Sequence, residues 1–240
     1  MRKLLKFLLW TVAITVSLIV VAALIFLLNF YKATRSMTPA DTGKINDSVW
    51  CVRDRFVNAF IFKGRQSYIM IDAGLGAKKF GAELDKLGIS PDMITTILLT
   101  HTDGDHTGSV PLYKNASIYM HRDEEQMVNG TMGKTKFSKT RWKYGPYKLL
   151  SDNDSLYIDG LRIRLIHTPG HTPGSVCYII GDDYLASGDN LTVTNGKYEH
   201  FMEKFNMDTP VQIESLKTLP PPLTFKYILT AHNGVIRMQP

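Results

Sequence analysis

The chain has 240 residues, 28 basic against 22 acidic side chains for a formal net charge of +6, 44% hydrophobic residues and only two cysteines. That composition excludes a collagen-like, low-complexity or disulfide-framework protein. Residues 1 to 35 hold Arg2, Lys3, Lys6, Lys32 and Arg35 and no acid, which leaves 23 basic against 22 acidic side chains in the remainder. The basic balance belongs to the N-terminus, and no nucleic-acid partner is expected.

From Phe7 to Leu28, 22 consecutive residues carry no charge. As a helix they would span roughly 33 Å, the thickness of a bilayer core. A cleaved signal peptide would have a shorter apolar region, about 7–15 residues, followed by a small-residue cleavage site. Here Asn29-Phe30-Tyr31-Lys32 follows instead. Residues 1–35 are therefore expected to be a single-pass membrane anchor, spanning about residues 7–28. Arg2, Lys3 and Lys6 outnumber Lys32 and Arg35, which predicts a cytoplasmic N-terminus and an extracytoplasmic remainder. Residues 36–47 are rich in turn formers and read as a linker, and residues 48–240 suffice for one domain with a sizeable core.

Within that domain, Val49 to Val52, Val57 to Phe62 and Tyr68 to Asp72 read as strands, and Ala77 to Leu87 has apolar positions at helical spacing. Ile94 to Thr100 and Ser117 to Met120 read as strands, and Arg122 to Val128 as a helix. Strands at Leu161 to Ile166, Val176 to Ile180 and Tyr184 to Ser187, a helix at Val211 to Leu219 and a strand at Tyr227 to Thr230 complete the pattern. Both halves mix strands with helices, which argues for sheets covered by helices. Cys51 and Cys177 lie in apolar runs and read as buried free thiols.

The chemistry concentrates after the Ile94 strand, in Thr100-His101-Thr102-Asp103-Gly104-Asp105-His106-Thr107-Gly108. Two imidazoles and two carboxylates crowd into six residues, among Gly and Thr that let the backbone turn. Downstream, His171 lies on the Pro/Gly turn Thr168-Pro169-Gly170-His171-Thr172-Pro173-Gly174, Asp189 follows Ser187-Gly188, and His232 ends the last strand. Each candidate sits near a strand end, where side chains can converge on one edge of a fold. His101, Asp103, Asp105, His106, His171, Asp189 and His232 together supply N and O donors for two cations sharing one carboxylate. His167 reads as a strand end, and His121 and His200 as surface histidines.

These motifs, with Asp72 in Ile71-Asp72-Ala73-Gly74, resemble in order those of the metallo-β-lactamase-fold hydrolase superfamily, from about Val49 to His232. The motif set is similar to that of hydroxyacylglutathione hydrolases. The resemblance implies an α/β fold, an αβ/βα four-layer sandwich with two divalent metal ions at one edge. It implies that His101, Asp103 and His171 hold the first metal, that Asp105, His106 and His232 hold the second, and that Asp189 bridges them. Asp72 would orient ligands, and Asp105 would orient the attacking water and shuttle its proton. The usual pattern is His-x-His-x-Asp-His, and Asp103 stands where its second His would be. Two divalent ions would then face three aspartates rather than two, a harder and more anionic set that admits manganese or iron as well as zinc.

The activity implied is hydrolysis of a small ester, thioester or lactone by metal-activated water, the alternatives being a metal-poor binding domain or a diiron redox protein. Lys134, Lys136, Lys139, Arg141, Lys143 and Lys148, interleaved with Phe137, Trp142, Tyr144 and Tyr147, could cap the site and receive an anionic small-molecule substrate, or form a solvated loop. Phe201, Met202, Phe205 and Met207 read as a pocket wall or as core.

Overall fold

The computed structural model describes residues 2–134 and 141–238, and the chain divides into two units, residues 1–38 and 39–240. The first is dominated by helix α1 (Arg2–Arg35), long and apolar enough to cross a membrane, with none of its most apolar 18-residue stretch buried.

The second unit is built on two sheets. Strands β1 (Gly43–Asn46), β2 (Val49–Asp54), β3 (Val57–Lys63), β4 (Tyr68–Ile71), β5 (Ile94–Leu98), β6 (Ser117–His121) and β7 (Lys148–Leu150) form the first, in that order. Its pairings are antiparallel up to β4 and parallel from β4 to β7. Strands β8 (Ser155–Ile158), β9 (Leu161–His167), β10 (Val176–Ile180) and β11 (Tyr184–Gly188) belong to the second. A separate ribbon follows, β12 (Leu191–Thr194) with β13 (Lys197–His200), before β14 (Tyr227–Thr230) and β15 (Gly234–Arg237) complete the second sheet in the order β15-β14-β11-β10-β9-β8. Part of the segment read as a linker is thus structured: β1 pairs with β2 despite its turn-prone composition, because β2 offers an open ladder edge.

Side chains alternate across each strand, and this period of two sorts the core into three layers. Phe60, Phe62, Ile69 and Ile71 point toward Leu165, Tyr178 and Ile180 of the second sheet and fill the middle. From the opposite faces of the same strands, Ala59, Ile61 and Met70 pack on α2 (Ala77–Leu87), while Cys177, Ile179 and Leu185 pack under Leu216, Leu219 and Phe225. The result is the αβ/βα sandwich, its outer faces covered by helical segments that include α2 and the helix Thr209–Ser215. Cys51 and Cys177 are buried free thiols, and burial pushes both pKa values up to about 12.

Helix α2 buries Phe80 and Leu84, four residues apart and so on one face, and ends at Gly88 in the left-handed conformation. Leu84→Ala should lower the unfolding free energy by about 2–5 kcal/mol in chemical denaturation, the cost of an unfilled cavity beneath a full sheet. A loss below about 1 kcal/mol, as expected of a surface site, would contradict the packing.

Candidate metal centre

Every donor comes from a loop or strand end at one edge of the sandwich. Asp103 precedes the one-turn helix α3 (Gly104–Thr107), which carries Asp105 and His106. His171 lies on the β9–β10 turn, Asp189 follows β11, and His232 follows β14. At the end of β11 the register shifts and Gly188 adopts φ +53°, which turns Asp189 inward. A Cβ at Gly188 would fall 2.2 Å from Thr100 Oγ1, so the close approach admits only glycine.

Asp72 takes a left-handed backbone conformation, φ +59°, uncommon for a residue with a side chain. Its carboxylate accepts from Thr100 N–H at 2.8 Å and Thr100 Oγ1 at 2.8 Å, and lies 2.9 Å from His106 Nδ1. A carboxylate only accepts, so His106 Nδ1 carries the proton and Nε2 keeps its lone pair. The single Thr100 hydroxyl proton goes to Asp72, so His101 Nδ1, 3.1 Å from that oxygen, is the donor there. His232 Nδ1 donates to Phe56 O at 2.7 Å and His171 Nδ1 to Asn206 Oδ1 at 3.1 Å. All four imidazoles therefore commit Nδ1 as a donor to an outer partner and turn Nε2 inward, the second-sphere arrangement that metal-binding histidines use.

The Nε2 atoms meet the aspartates. His101 lies 3.4 Å and His171 3.1 Å from Asp103 Oδ2, while His106 and His232 lie 3.2 Å and 3.1 Å from Asp189 Oδ1. Asp105 Oδ2 is 3.5 Å from His232 Nε2 and 3.9 Å from His106 Nε2. Asp189 Oδ2 faces the first group, 3.5 Å from His171 and 4.0 Å from His101. All seven sequence-predicted donors thus converge, with Asp189 between the two sets. The imidazoles and Asp189 are buried, whereas Asp103 and Asp105 are about a fifth exposed and face the opening. Burial opposes charge on His106, but Asp189, Asp72 and Asp105 outweigh it and hold its pKa well above the usual range. Burial likewise opposes charge on Asp189, and His232 and His106 hold its pKa well below the carboxylate range.

His101 Nε2, His106 Nε2 and Asp189 Oδ1 are buried without a hydrogen-bond partner. Orphaned polar atoms of this kind are costly unless something else coordinates them. His101, Asp103 and His171 form one set of mutually close donors, and Asp105, His106 and His232 another. Their N and O chemistry fits divalent zinc, manganese or iron.

One residue escaped the sequence reading. Glu124 is fully buried, accepting from Thr102 N–H and Oγ1 at 2.8 and 2.6 Å with one oxygen, and from Thr172 Oγ1 and Gly174 N–H at 2.6 and 3.1 Å with the other. It clamps the loop of His101 to the turn of His171. A Cβ at Gly174 would lie 2.1 Å from Glu124 N, so this turn too requires glycine. Lys134 hydrogen-bonds to Asp103 and His171.

His121, read as a surface residue, is buried at the end of β6 and stacks on His167 with ring centroids 4.0 Å apart, its Nε2 2.7 Å from Asp152 Oδ1. The strand alternation places it inward, which a polar flanking sequence concealed. His167 ends β9 as expected, and its Nε2 donates to Pro173 O at 2.9 Å. His200 is half-buried. Trp142, Tyr144 and Tyr147 pack against the outer core of the first sheet, and Lys136, Phe137 and Lys139 lie outside the described residues. Phe201 is buried and stacks on His232, with ring centroids 5.3 Å apart.

The profile of the metallo-beta-lactamase superfamily matches residues 52–230, and the chain belongs to that family. A probable metallo-hydrolase of Methanocaldococcus jannaschii is 28% identical over 153 residues, 64% of each chain. An atrochrysone carboxyl ACP thioesterase of Aspergillus fumigatus is 30% identical over 142 residues, 56% of this chain and 29% of that protein. The chain thus spans less than two thirds of the length of either relative. A motif variant of the metallo-beta-lactamase from Cronobacter sakazakii shares the fold at TM-score 0.62 and 21% identity, over 81% of each chain.

Glu124→Gln would turn an N–H donor toward other donors. It should lower the unfolding free energy by about 1–3 kcal/mol, measured by chemical denaturation, whereas Glu125→Gln should change it by less than about 0.5 kcal/mol.

Proposed function

We propose that this chain is a membrane-anchored, metal-dependent hydrolase of a small ester, thioester or lactone, with capacity for two divalent ions, zinc or else manganese or iron. The observation that carries this reading is the pair of donor sets, each with inward Nε2 atoms, on either side of one buried carboxylate, Asp189. Family membership and the thioesterase among the relatives support the reaction class. His101, Asp103 and His171 would hold the first ion, Asp105, His106 and His232 the second, and Asp189 would contact both. When bound, such ions supply Lewis acidity toward a carbonyl oxygen and acidify water.

The chain's own groups do the rest. Asp105 Oδ2 sits at the opening, within 4 Å of His106 and His232, where it takes a proton from the attacking water and returns it to the leaving oxygen or sulfur. Asp72 and Phe56 O keep the two imidazoles from rotating. A substrate carboxylate would meet Lys134, which among the described residues of the basic segment reaches the site. The apolar helix α1 supports membrane attachment, and three basic residues before the span against two after it support an extracytoplasmic domain.

The test is turnover of a panel of aryl esters, acyl thioesters, lactones and a β-lactam by the full chain in detergent. Hydrolysis of at least one of the first three classes is expected, abolished by a chelator and restored by one of the three metals. Asp105→Asn should lower kcat by roughly 100- to 10,000-fold, the usual worth of a positioned acid or base. No hydrolysis with any metal would reject the reading.

A further inference from the structure

We propose that Lys134 is an internal cation of the first donor set, competing with metal there, so that the Asp105–His106–His232 set fills first. This inference rests on the metal-dependent reading above and deepens it. An ammonium has three N–H donors. Those of Lys134 meet three acceptors from three separate segments: the Asp103 carboxylate, His171 Nε2 at 2.9 Å and Phe205 O at 3.2 Å. The group is fully satisfied where it stands.

The contact with His171 makes the competition direct. His171 Nδ1 donates to Asn206 Oδ1, whose amide nitrogen is itself held by Gln212 Oε1 at 2.7 Å and Phe201 O at 3.2 Å. In the neutral ring the one lone pair is on Nε2, 2.9 Å from Lys134 Nζ and 3.1 Å from Asp103 Oδ2, and of these two the ammonium is the one that can donate to it. A metal ion using His171 needs the same electron pair, so ammonium and ion exclude each other at that atom. Asp103 completes the logic: a carboxylate attracts and hydrogen-bonds the ammonium, whereas a histidine at this position would leave it without its ionic partner. The second set differs. Among the described residues no lysine or arginine pairs with Asp105, and only imidazoles lie within ion-pair distance of it.

The experiment measures metal ions per chain by plasma mass spectrometry. The full chain in detergent is stripped with a chelator and dialysed against a series of buffered zinc concentrations. The unmodified protein should take up one ion per chain at low zinc and a second only at concentrations roughly tenfold or more higher, as expected when charge-assisted hydrogen bonds must first be broken. Lys134→Met, which keeps the length of the side chain without its charge, should take up both ions at low zinc, and Lys134→Gln should behave likewise. His232→Ala should remove the tightly held ion. Two ions bound together at low zinc by the unmodified protein would overturn the inference and leave the hydrolase reading intact. A Lys134→Met profile identical to that of the unmodified protein, or a tight ion that survives His232→Ala, would also overturn it. No zinc in either protein at any concentration, and in parallel dialyses no manganese or iron, would overturn both.

Discussion

The site depends on one carboxylate that need not touch a metal. Asp72, held in a left-handed conformation where β4 ends, receives Thr100 N–H and Oγ1–H and the Nδ1 proton of His106. Through Thr100 it also sets the tautomer of His101. Two imidazoles from one loop are thereby turned the same way, with Nε2 atoms directed into a buried space. Their orientation is paid for by backbone strain at Asp72, and the fold tolerates that strain because parallel β4 and β5 fix both ends of the contact.

Around this constraint the two sheets contribute unequally. The first supplies Asp72 and, from the loop after β5 and from α3, four of the donors, while the second supplies His171, Asp189 and His232 from three different connections. A site divided between two sheets needs ties across the gap, and Glu124 is one: its two oxygens hold the His101 loop and the His171 turn in fixed relation. His167, through Pro173 O, steadies the same turn from the other side. The middle core layer, from Phe60 to Tyr178, sets the distance that these polar ties span.

Much of this was legible in the sequence. Strands with apolar runs, such as Val57–Lys63 and Val176–Ile180, and the helix Ala77–Leu87 follow from periodicity, because their burial is itself what the pattern records. The short edge strands β1, β7, β8 and β15 and the ribbon β12–β13 were not, since polar edge strands are stabilised by a neighbour's ladder rather than by their own composition. The convergence of seven His and Asp side chains on one edge was legible because ligand chemistry restricts residue type. Glu124 was not, because an acidic residue in Asp123-Glu124-Glu125 carries no local sign that it is buried among donors 22 to 50 residues away. His121 failed for the same reason. Lys134 stood in view only as one of six basic residues in a segment, and only the folded chain places its ammonium on Asp103 and His171.

Electrostatics then connect Asp103 to Lys134. Burial raises the cost of charge on Asp103, but His101, His171 and Lys134 outweigh it and hold its pKa well below the carboxylate range. The same lysine acts on His171 in the opposite sense: burial first, and then the Lys134 charge, lower its pKa and favour the neutral ring that can accept a hydrogen bond. Aspartate, imidazole and ammonium thus meet as one hydrogen-bonded set, in which Lys134 joins Asp103 to His171. A histidine in place of Asp103 would break that set at its only anionic member, so the residue that departs from the family pattern and the lysine that reaches it are best understood as one feature of the site.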